Sequence, residues 1–144
     1  MNENFNFINK LLKNTKVVIE MVNIEVIDTG SPKAGPYSLG IKAGNLIFIS
    51  GQVSDPKKKG VGEQTLSAFE KIKSILEASG AHVSNIVKVS VFLKNMDDFK
   101  NMNQAYSEFF EQNGVKEKFP ARSTVEATCP MPEALVEIDA IAVI

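Results

Sequence analysis

What this chain lacks closes off several kinds of chemistry. It has one cysteine and one histidine in 144 residues, which removes disulfide frameworks and any intrachain metal site built from several Cys and His ligands. A Ser-His-Asp triad would need His82 as its base. No apolar run approaches the ~18 residues of a membrane span. Charge of one sign is not in excess either. Lys and Arg total 16 against 17 Asp and Glu, for a net charge of -1, which argues against the many cationic contacts of non-specific nucleic-acid binding. What is present, 44% apolar and 23% charged residues with mean hydropathy -0.04, is the composition of one folded domain rather than a disordered tail.

Arginine is nearly absent. Fifteen of the 16 cationic residues are lysine, leaving Arg122 alone. A chain that uses lysine wherever a point charge will do has one position with the planar, two-pronged guanidinium, which suits a carboxylate better than an ammonium does.

Residues 1–20 differ from the remainder: five asparagines and three lysines surround a short helical spacing of Ile8, Leu11 and Leu12. They read as an appended arm, with Met21 as an alternative start. Val17-Val18-Ile19 is cut short by Glu20, too little for the apolar core of a secretory signal. From Asn23 onward the pattern is mixed α and β, without repeats or linkers. Strands are expected over 23–27, 39–43 and 46–50, the last two joined by a Gly44-Asn45 turn. Leu46-Ile47-Phe48-Ile49 is apolar at every position, as in a strand covered on both faces. Amphipathic helices are expected over 64–79 and 97–112, each followed by glycine, Gly80 and Gly114. Alternation predicts further strands over 86–93, 121–127 and 135–143. The Lys57-Lys58-Lys59 run reads as a solvated turn, His82 as an exposed turn residue and Cys129 as inert.

Three features resist a purely structural reading. Arg122, Thr124 and Glu126 share one face of their strand. In the last strand Glu137 and Asp139 stand between Leu135 and Ile141, and buried carboxylates cost several kcal/mol unless paired or hydrated. Arg122 on the preceding strand is the nearest remedy in sequence. Asn103 falls inside the aromatic stripe of Phe99 and Tyr106, so its amide needs partners or a cavity. Tyr37 stands in a Gly35-Pro36-Tyr37-Ser38 loop where its hydroxyl is a candidate ligand contact. Tyr106 itself reads as core.

Taken in order, Gly35-Pro36-Tyr37-Ser38, Ser50-Gly51-Gln52, Asp98-Phe99 to Asn103, Phe119-Pro120-Ala121-Arg122-Ser123-Thr124-Val125 and Val136-Glu137-Ile138-Asp139-Ala140-Ile141-Ala142 resemble the Rid family (YjgF-like reactive intermediate deaminases) from Asn23 to the C-terminus. The resemblance implies a single α+β domain over 21–144 with the chorismate-mutase-like fold, a mixed sheet with two helices on one face. It also implies a homotrimer with clefts between subunits, acting on small molecules; with the charge balance and hydropathy above, a cytoplasmic protein without nucleic-acid or membrane partners is expected. Members with the arginine hydrolyse 2-imino acids, formed from enamines released by pyridoxal-phosphate dehydratases, to 2-keto acids and ammonia without metal or cofactor. Arg122 matches the carboxylate-binding arginine and Glu137 the water-positioning glutamate, while Tyr37, Ser50, Gly51 and Asn103 match cleft-lining positions. Thr124 stands in the cleft where many members have cysteine, which removes a thiol role, and Leu39 stands where many have glutamine. The alternatives are a non-catalytic module that senses small carboxylates and, third, an RNA-directed role.

Overall fold

The computed structural model describes residues 22–144; the expected arm lies outside them. The eight main elements are β1 (Ile24–Ile27), β2 (Gly40–Ala43), β3 (Leu46–Val53), α1 (Val61–Ala78), β4 (Ile86–Leu93), α2 (Phe99–Gln112), β5 (Ala121–Glu126) and β6 (Val136–Val143). The strands form one sheet in the order β1-β2-β3-β6-β4-β5. β4 and β5 run parallel and every other neighbouring pair is antiparallel. Because β3 and β4 are both antiparallel to β6, they are parallel to each other, with β6 inserted between them. The chain therefore makes two crossovers, β3-α1-β4 and β4-α2-β5, moving the same way across the sheet. Crossovers of one hand in one direction place both helices on the same face.

That face is the core. Phe69, Ile72, Ile75 and Leu76 of α1 and Met102, Phe109 and Phe110 of α2 pack on Ile47, Val89, Val91, Val136 and Ile138 with almost no solvent exposure. Phe69 stacks on Phe109 at 4.7 Å between ring centroids, and Phe110 meets both edge-on. Burial of this kind contributes roughly 1.5–3 kcal/mol per large side chain.

Element boundaries depart from periodicity where local hydrogen bonding intervenes. α1 begins three residues early, at Val61, because Gly60 turns the chain at φ 78°. Glu63 also reaches back to accept the Lys59 N–H. α2 begins two residues late, since the Asn95 side chain accepts the Asp97 N–H and winds Met96–Asp98 into a 3₁₀ turn. β3 does not stop at Ser50. It runs to Val53 through an irregularity between Ile49 and Gln52.

A larger correction concerns the other side of the sheet. Ile47 and Ile49 of β3 are buried under the helices, but Leu46 and Phe48 point the opposite way and are exposed. No helix of the described residues covers that side. Ile24, Val26 and Val125 are exposed there too, so a run that reads as doubly covered has one bare face among the described residues. Among the described residues no helix is long and apolar enough to cross a membrane.

Candidate active site

Arg122 extends from β5 toward the helices. Its register partner is Val89 and that of Thr124 is Val91, both wholly buried under the helices; paired residues of adjacent strands point to the same side. The guanidinium carbon lies 4.6 Å from the Tyr106 ring centroid and 5.7 Å from that of Phe99, within cation–π range. Asn103 is half-buried on the same stripe of α2, one turn from each of these rings. Two hydroxyls here, Tyr106 Oη and Thr124 Oγ1, are buried without a hydrogen-bond partner among the described residues. Burial pushes the Tyr106 phenol up to about 12 against the opposing field of Arg122.

Glu137 is on the opposite side. It pairs with Phe92 and Val53, and Asp139 with Ser90, all on the face away from the helices. So Arg122 does not neutralise Glu137 or Asp139 within one chain. β4 separates their strands and the sheet itself separates their side chains. The Glu137 carboxyl is instead harder to ionise than an ordinary one, first because burial strips water from it and second because Asp139 lies close by.

Glu137 shares a cavity of about 770 Å³ with Tyr37, Ser50 and Gly51, walled further by Leu39 and Met131. Ser50 Oγ donates to the Ser38 carbonyl at 2.6 Å, tying β3 to the Tyr37 loop. The Tyr37 hydroxyl accepts the Ala34 N–H at 3.3 Å. Gly51 is a steric requirement. A Cβ built there would stand 2.8 Å from Glu137 Cδ and 3.1 Å from Cγ, and would overlap Oε1. Glycine is thus what lets the carboxylate lie across β3.

The expected site residues therefore fall into two groups. Tyr37, Ser50, Gly51 and Glu137 meet in one cavity; Arg122 and Thr124 lie across the sheet beneath the α2 face that carries Asn103. Sequence reading missed the contact between Tyr106 and Arg122, for which helical spacing gave no sign beyond "core". It also missed Gln64, a buried amide in the apolar stripe of α1. That amide accepts the Leu135 N–H at 2.8 Å and donates to the Glu133 carbonyl at 3.1 Å, bracing the start of β6. His82 and the lysine run are exposed. Cys129 is buried, and its thiol is pushed up chiefly by burial. No group of three or more His, Cys, Asp or Glu among the described residues could hold a metal ion.

A family model described as Endoribonuclease L-PSP matches residues 29–144. The chain belongs to this YjgF/Rid family. A RutC family protein of Pyrococcus horikoshii is 46% identical over 126 residues, covering 82% of this chain and 96% of the relative. A protein of Salmonella typhimurium named 2-iminobutanoate/2-iminopropanoate deaminase is 40% identical over 114 residues, covering 76% and 88%. Among solved structures, the YjgF gene product of E. coli superimposes with a TM-score of 0.76 at 38% identity, covering 83% of this chain and 98% of that one. E. coli TdcF with bound serine superimposes with a TM-score of 0.76 at 33% identity, covering 83% and 98%. The family fold, two helices on one face of a mixed six-stranded sheet, is the one described above.

Proposed function

We propose that the protein hydrolyses 2-imino acids to 2-keto acids and ammonia in clefts between the subunits of a homotrimer, without metal or cofactor. The observation that carries this reading is the division of the site between two faces. One chain presents Arg122 from the edge strand β5, and Glu137 from the uncovered face, at a cavity that also reaches Lys71, Ser74 and Ile75 of α1. A neighbouring protomer seated on that face would cover Leu46, Phe48 and Val26 and bring its own Arg122 toward the Glu137 cavity. Exposed apolar area of this kind is unfavourable in water and favours association.

In such a cleft Arg122 grips the substrate carboxylate through two parallel N–H donors, a charge-assisted contact worth roughly 1.5–3 kcal/mol. Thr124 and Asn103 line the same side; Tyr37, Ser50 and Gly51 line the other. Glu137 takes a proton from water as its oxygen bonds to C2. The C=N electron pair shifts to nitrogen, which receives that proton from Glu137. As the carbinolamine collapses Glu137 takes the hydroxyl proton, the C=O bond forms, and ammonia leaves with the proton Glu137 returns to it. Imines react with water unaided, so a positioned general base supplying about 10²–10⁴-fold suffices. The raised pKa of Glu137 makes its carboxylate a stronger base than an ordinary one, suited to taking a proton and returning it. The deaminase name of relatives 40% identical supports the same chemistry.

The test is keto-acid release from a coupled threonine dehydratase, comparing wild type with Glu137→Gln. The deaminase reading expects the variant to lose at least about 10²-fold in kcat while still binding 2-oxobutanoate. A wild type that binds the keto acid without accelerating imine hydrolysis would make the protein a carboxylate sensor instead.

A further inference from the structure

We infer that Tyr106, together with Phe99, is a positioning residue for Arg122: the ring faces hold the guanidinium in place and leave its N–H fork free for a ligand carboxylate. This rests on reading Arg122 as the carboxylate-binding group. An arginine side chain has about 2 kcal/mol of rotamer entropy to lose when it is fixed, so a guanidinium already held binds more tightly than a loose one. A carboxylate partner would hold it but would also occupy the donors. The partners the structure gives this guanidinium are ring faces, 4.6 Å away for Tyr106 and 5.7 Å for Phe99, which attract the cation by its charge and offer no carboxylate to occupy its donors.

The Tyr106 ring is a rigid platform. It is 5% exposed and packs against Phe69 at 5.4 Å, Phe110 at 4.8 Å and Phe119 at 6.4 Å. Its hydroxyl, by contrast, has no hydrogen-bond partner among the described residues. The ring and not the hydroxyl therefore does the holding, which separates two substitutions that a merely structural role would not separate.

The experiment titrates 2-oxobutanoate into the full-length protein by calorimetry and measures KM and kcat for imine hydrolysis. Tyr106→Phe keeps the ring face, and its Kd and KM should stay within about twofold of wild type. Tyr106→Leu removes it and should raise both about tenfold, within the range cation–π contacts allow. kcat should change less than about threefold, because the contact serves the non-reacting end of the substrate. Phe99 is half-buried, so Phe99→Leu is a second variant that spares the core; it should raise Kd in the same direction by a smaller factor. Unchanged Kd in a folded Tyr106→Leu, or in Phe99→Leu should the first not fold, would overturn the inference and leave the deaminase reading intact. So would equal weakening by Tyr106→Phe and Tyr106→Leu. Failure of the wild type to bind the keto acid at all would overturn the reading of Arg122 and this inference with it.

Discussion

Replacing Gly51 by alanine perturbs the proposed base without touching it chemically. Gly51 is not among the glycines with positive φ, so the backbone accepts alanine, and the added Cβ has one neighbour of consequence. It would lie 2.8 Å from Glu137 Cδ, whereas carbon–carbon contacts settle near 3.5–4.0 Å, so the carboxyl must retreat by about 0.7 Å or more. Glu137 is only half-buried and has room to rotate, at a cost of about 0.5–1.5 kcal/mol. That cost is partly offset by the smaller unfolded-state entropy of alanine, about 0.4–1 kcal/mol. Stability should therefore change by a few degrees in Tm at most. Activity should not be spared, since a general base misplaced by about 1 Å costs on the order of 10²-fold. Keto-acid release by Gly51→Ala, measured beside its circular dichroism melt, should show a normally folded protein with kcat down about 100-fold. A variant with kcat within twofold of wild type would mean that the position of Glu137 across β3 does not matter to the chemistry.

Two further outcomes follow from the electrostatics and the bare face. Glu137 acts as a base only when ionised, and its pKa is raised by burial and then by Asp139, so activity should fail on the acid side at a higher pH than for an ordinary carboxylate. Asp139→Asn removes one of those two causes and should move that limb of the kcat/KM profile to lower pH; an unmoved limb would acquit Asp139. Phe48 is 42% exposed on the uncovered face, and Phe48→Lys places a charge where association would bury it at a cost of several kcal/mol. Light scattering after size exclusion should then report monomer and the activity should vanish, whereas an intact oligomer would put the interface elsewhere.

Much of the fold was legible because periodicity is local. Val87, Val89, Val91 and Leu93 alternate with Lys88 and Ser90, and β4 occupies the expected 86–93. The stripe Leu66, Phe69, Ile72, Ile75 and Leu76 belongs to α1 as read. The relation between strands was not legible. Alternation says that Arg122 and Thr124 share a face, and that Glu137 and Asp139 share one, but not whether those two faces are the same. That sign depends on β6 slipping between β3 and β4, a choice made by long-range packing. Phe48 misled for a related reason: an apolar face looks alike whether a helix or another subunit is to cover it. Gly51 fell just outside the strand expected over 46–50, and its true constraint, the carboxyl of Glu137, is far away in sequence.

The division of the site between faces is tested most directly by mixing two dead chains. Arg122→Ala and Glu137→Gln, each inactive alone, would be co-expressed with different tags and hybrid oligomers isolated. If each cleft takes its arginine from one protomer and its glutamate from the next, every isolated hybrid trimer has about one third of its clefts with both groups intact. Keto-acid release should then recover to about that fraction of wild type. If both groups of a working site came from a single chain, no cleft in any hybrid would be whole, and the mixture would be as inactive as its parents.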